Sequence, residues 1–94
     1  MKPRLSKGAW SGNGWPCVDI DPYAQEDFLK VLTHLCVELG VPIPRIHDLL
    51  DGYAADLVVR GSRITLFMDP YTFSIAAERE DVRDCVLETL QLLA

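Results

Sequence analysis

Residues 55–77 read ADLVVRGSRITLFMDPYTFSIAA and alternate apolar with polar side chains through two turn signals. A period of two marks half-buried strands, and the turns divide the stretch into three. Gly61-Ser62 suits a two-residue type II′ hairpin, with glycine at the first central position. That turn pairs Val59 with Ile64, Leu57 with Leu66 and Ala55 with Met68. A second turn around Asp69–Thr72 pairs Met68 with Phe73, Leu66 with Ile75 and Ile64 with Ala77. Every one of these residues is apolar and falls on one face. A one-residue slip would mix the faces, so the pattern supports its own register. Asp69 suits the first position of a type I turn, where its carboxylate reaches nearby backbone N–H groups, and Pro70 sets the bend. Tyr71 has no structural duty in this scheme.

A meander with one apolar face needs a cover, and two amphipathic segments supply it. Asp21-Pro22 combines a favoured N-cap with a favoured first helical residue, so the first helix is expected to begin there. Phe28, Leu32, Leu35 and Leu39 follow at helical spacing, widened by Leu29, Val31 and Cys36. Gly40 ends the helix as a left-handed cap, with Pro42 just beyond. The connector 41–53 is expected to hold a single helical turn from Pro44, docking Ile46, Leu49 and Leu50. Glu78-Arg79-Glu80-Asp81 opens a second helix with acids at its positive end. Val82, Val86, Leu90 and Leu93 form its buried stripe, with Cys85 and Thr89 beside it. Residues 15–20 alternate weakly and predict one short strand ahead of the first helix. The expected fold is α+β: a two-layer sandwich in the order β-α-β-β-β-α. Its antiparallel sheet, a three-strand meander plus the short N-terminal strand, carries two helices on one face.

Ninety-four residues suffice for one domain with a thin core. The first sixteen residues carry Lys2, Arg4 and Lys7 and no acid, so the rest carries a net −8 within an overall −5. Residues 1–14 therefore read as a flexible basic arm ahead of a single α+β domain at 15–94. An acidic body repels phosphate backbones, which argues against nucleic acid as a partner. No apolar run is long enough for a membrane span, and no signal peptide is visible. Three widely spaced cysteines make no disulfide framework, so a reducing cytoplasm is expected.

No pattern calls for a cofactor, a metal or a catalytic role. His34 and Cys36 point to different sides of a helix, and no Cys-x-x-Cys or His-x-x-x-His spacing occurs. A small enzyme would have to use a thiol, with Cys17 as the most exposed candidate, yet no motif places a base beside it. The two surfaces left are candidates for binding another protein. The polar face of the meander offers Val58, Arg60, Arg63 and Phe67, with Tyr71 at the second hairpin tip. The helix layer offers an acidic group that includes Asp81, Asp84 and Glu88, suited to a basic partner. Each also fits, and fits better, a solvated surface that keeps the protein soluble.

The runs FLKVLTHLCVELGVPIP and DLVVRGSRITLFMDPYTFSIAA, within residues 28–78, resemble the first half of class I type III secretion chaperones. Leu39-Gly40 and the alternating strands carry the match. The resemblance implies a bacterial cytosolic escort that shields a partner protein, and it allows a homodimer built partly on the second helix. This chain differs in having a strand ahead of the first helix and in closing with the second. Small acidic immunity proteins, which neutralise a toxin through an acidic surface, fit the same pattern.

Overall fold

A computed structural model describes residues 3–93. Residues 1 and 2 of the expected arm lie outside the described residues. The elements are β1 (Arg4–Ala9), β2 (Pro16–Asp21), α1 (Asp27–Leu39), β3 (His47–Asp48), β4 (Tyr53–Val59), β5 (Ser62–Met68), β6 (Phe73–Ala77) and α2 (Glu80–Leu93). The fold is α+β: one antiparallel sheet, in the order β1-β2-β6-β5-β4-β3, with two helices packed on it. Val18, Ile20, Leu57, Ile64, Leu66 and Ile75 point inward and meet Phe28, Leu32, Leu35, Val82, Val86 and Leu90 from the helices.

The second hairpin pairs as its sequence predicts: Met68 with Phe73, Leu66 with Ile75, Ile64 with Ala77. The first hairpin differs. Its turn residues are Arg60 and Gly61, at φ 53° and 75°, and Val59 pairs with Ser62, Leu57 with Ile64 and Ala55 with Leu66. Two successive left-handed residues are the type I′ arrangement, whose twist suits the flanking strands. The register therefore sits two residues from the expected one. Because side chains alternate with period two, that shift leaves the same residues in the core.

Two element boundaries also move, and one buried stripe is shorter. Asp21 does not cap α1; it is the last residue of β2, opposite Arg4. Residues 22–26 carry the chain up to the helix layer, and the Asp27 carboxylate accepts the Ala24 N–H at 2.8 Å. Glu78 stays with the sheet, because its N–H donates to the Arg63 carbonyl at 3.1 Å and its carboxylate accepts the Arg63 N–H at 2.8 Å. Leu93, expected in the buried stripe of α2, is 45% exposed, and the stripe ends at Leu90. Gly40 caps α1 as expected, at φ 70° with its N–H on the Cys36 carbonyl.

The expected flexible arm is largely a strand. Arg4–Ala9 pair along the whole of β2, and the loop between Trp10 and Trp15 closes with two backbone bonds of 2.9 Å. That loop lies against the polar face of the meander. The Trp10 indole donates to Ser74 Oγ at 2.8 Å, and the Arg63 guanidinium sits 5.8 Å from the Trp15 ring centre. This explains why Ser74 and Ala76, on the supposed solvent face, are buried. Arg83 fastens the same hairpin from α2. It is buried, and its Nη1 donates to the Gly8 and Cys17 carbonyls at 3.4 Å each.

Candidate binding cleft

At the end of the sheet where β4 begins, two clefts of about 500 and 560 Å³ adjoin and share Gln25, Asp48 and Tyr53. Their aromatic walls are fixed. Tyr23 donates its hydroxyl to the Asp69 carbonyl at 2.6 Å and meets Phe73 edge-on at 5.8 Å. Burial pushes the Tyr23 hydroxyl pKa up, and the carboxylates of Asp69 and Asp21 add to the rise. Tyr53 rests on Phe28, centroids 5.6 Å apart, and accepts a hydrogen bond from the Gln25 amide.

The rim is apolar and acidic. The connector forms no helical turn. His47 and Asp48 pair with Ala54 and Tyr53, so Leu49–Gly52 become a hairpin tip, closed by the Leu49 N–H on the Gly52 carbonyl at 2.8 Å. Leu49 and Leu50, expected to dock inward, are 42% and 100% exposed instead. Asp48 and Asp51 flank them, Glu26 and Asp69 also line the clefts, and no Lys, Arg or His among the described residues does. A fully exposed leucine at a rim of single-sign charge suits a partner bearing an apolar side chain next to a base. Asp51-Gly52 was the legible signal: a turn there puts the residues before it at a tip.

The residues singled out from sequence do not converge. Val58 and Arg60 lie on and beyond β4, exposed. Phe67 is half-buried beside the Trp10 loop, and Arg63 faces Trp15. Tyr71 is 90% exposed at the β5–β6 tip, where Asp69 Oδ1 accepts both the Tyr71 and Thr72 N–H at 2.8 Å. Asp81, Asp84 and Glu88 stand on α2, in the other layer. Arg79 holds the Asp81 carboxyl below the usual range through a 2.6 Å contact. Asp84 is lowered chiefly by Arg83 at 2.7 Å, with Lys7 at 3.3 Å assisting.

Cys17 is not the exposed thiol; it is 1% exposed, and burial raises its pKa, with Asp19 adding to the rise. The cause is the N-terminal hairpin, which stacks β1 and the Trp10 loop around it. Among the described residues no three His, Cys, Asp or Glu side chains gather as a metal site, and no helix is long and apolar enough to cross a membrane. No protein family, curated protein or solved structure matches the chain.

Proposed function

We propose that the protein is a non-catalytic binding module that shields a segment of a partner protein, as a secretion chaperone does, with the cleft around Tyr53 as its seat. The observation that carries this reading is Leu50, wholly exposed between Asp48 and Asp51 at the rim of an aromatic cleft lined by no base. Such a residue adds nothing to the core, and it offers an anchor to an apolar side chain of the partner. The surrounding carboxylates favour a basic segment and speed its approach. A toxin-neutralising role through α2 has less support, since Asp81 and Asp84 already face Arg79, Arg83 and Lys7. A thiol enzyme has less still, because a buried Cys17 with a raised pKa carries little thiolate.

The test is affinity capture from the native cell with the wild-type protein, Leu50→Asp and Tyr71→Ser, the bound proteins identified by mass spectrometry. A partner kept by Tyr71→Ser and lost by Leu50→Asp supports the cleft. A partner held equally by Leu50→Asp moves the site elsewhere.

A further inference from the structure

The sheet has an open edge. β3 covers only Tyr53 and Ala54 of β4, so among the described residues no strand lies on the outer side of Ala55–Val59. Across a two-residue turn Val59 and Ser62 form a hydrogen-bonded pair, so Leu57 and Ala55 also bond to β5. Asp56 and Val58 therefore aim their N–H and C=O groups outward. β5 shows the same parity: Arg63, opposite Val58, turns its carbonyl to the Glu78 N–H on the β6 side. Sheet edges are ordinarily blunted with charged side chains, lysine above all, with proline or with a bulge. This edge carries neither lysine nor proline, and its two charges, Asp56 and Arg60, are of opposite sign with Val58, 62% exposed, between them.

We propose that the edge pairs with β4 of a second copy of this chain, antiparallel about a two-fold axis at Val58. In that register Val58 faces Val58 of the second copy, and each Asp56 comes beside the other chain's Arg60, the first residue of the turn and the last within reach of the edge. The apolar pair sits at the centre with an opposite-charge pair on either side, the arrangement that cross-strand neighbours favour. Neighbouring registers fail for reasons in the fold. Centring on Leu57 brings Arg60 of the copy against Ala54, which β3 already holds. Centring on Asp56 sets two carboxylates face to face and drives Val58 onto that same Ala54. Centring beyond Val58 leaves Asp56 with nothing opposite, because the chain turns at Arg60-Gly61. The two-fold is isologous, so one surface serves both partners. It is independent of the cleft at Tyr53.

So short a pairing is smaller than a standard interface, and two acidic chains repel. The dimer is therefore weak, at the transient end of the interface range, and is weaker still at low salt.

Sedimentation equilibrium over a range of concentrations, with hydrogen exchange on the same samples, tests this. The expected mass rises from 10.5 kDa toward twice that value, and the Val58 amide gains protection in step. Arg60→Glu places like charges opposite Asp56 and returns the chain to monomer, and Asp56→Arg combined with Arg60→Glu restores the dimer. Val58→Pro, which removes an outward N–H that β5 does not use, also gives monomer. If the double variant does not fold by circular dichroism, Val58→Pro and the Val58 amide still decide. A wild-type chain that stays monomeric at millimolar concentration overturns the proposal. So does a dimer whose affinity Arg60→Glu leaves unchanged, or one in which the Val58 amide exchanges as freely as in the monomer.

Discussion

Trp10 and Ser74, 64 residues apart, are joined by a 2.8 Å hydrogen bond from the indole N–H to the hydroxyl. The bond ties the tip of the first hairpin to the second residue of the last strand, across the face that β5 and β6 turn away from the helices. Ser74 is buried there, and the indole satisfies its hydroxyl as an acceptor. Trp10→Phe keeps an aromatic ring, though a smaller one, and removes the donor. It should lower stability by about 1 kcal/mol in urea unfolding. Trp10→Ala should cost more, since the loop loses its apolar contact as well. A Trp10→Phe protein as stable as wild type would mean that the loop is held by the ladder alone.

Gly52 answers to a different constraint. A Cβ at this position would overlap the Met68 carbonyl oxygen, which is backbone and cannot swing aside. Gly52→Ala must therefore part β4 from β5 at the floor of the cleft. It should destabilise by at least about 2 kcal/mol, with loss of protection at Met68 in hydrogen exchange. Gly12→Ala is the matched control: its Cβ meets nothing within 4 Å, and stability should stay within about 0.5 kcal/mol.

These two contacts mark where the sequence stops being readable. The meander was legible because period-two alternation and turn chemistry agree, and even a hairpin displaced by two residues kept its faces. The helices were legible from their apolar stripes and from Gly40. The clefts were not, because they arise where Tyr23 and Gln25 of the β2–α1 connection meet Tyr53 of β4, a pairing that no local spacing announces. The first hairpin was hidden by composition. Glycine, serine and charge between residues 4 and 14 suggest an arm, yet long-range contacts order it: Arg83 on two carbonyls, Trp10 on Ser74. Leu49 and Leu50 misled for the opposite reason. Apolar residues in a connector suggest burial, and here the hairpin tip holds them out.

The same hairpin decides cysteine chemistry. Cys17 and Cys36 are buried, and burial raises both thiol pKa values; Cys85 is partly exposed on α2. Thiolate is the reactive form, so a disulfide reagent such as dithionitrobenzoate should modify Cys85 first in the native protein. The other two should react only at the rate of opening, and at full speed in denaturant. A Cys85→Ser protein whose Cys17, identified by peptide mapping, still reacts rapidly would show the N-terminal hairpin to be open in solution.

Asp84 links that hairpin to α2 through Lys7 on β1 and through Arg83, which in turn holds the Gly8 and Cys17 carbonyls. Its carboxyl pKa is lowered from the ordinary 3.8, first by Arg83 and then by Lys7. The unfolded chain therefore takes up this proton before the folded chain does. Stability from Asp84 is fully present above the unfolded value and is lost as pH falls through the folded one. Asp84→Asn should accordingly be less stable than wild type at pH 7, with the gap closing below about pH 4. Urea unfolding of both proteins across that range reads the effect. Faster exchange of the Gly8 and Cys17 amides in the variant would place the loosening at the β1–β2 hairpin and not in α2. A gap that stays constant from neutral to acid pH would assign the loss to packing of the new amide, leaving the ion pairs without a role in holding β1.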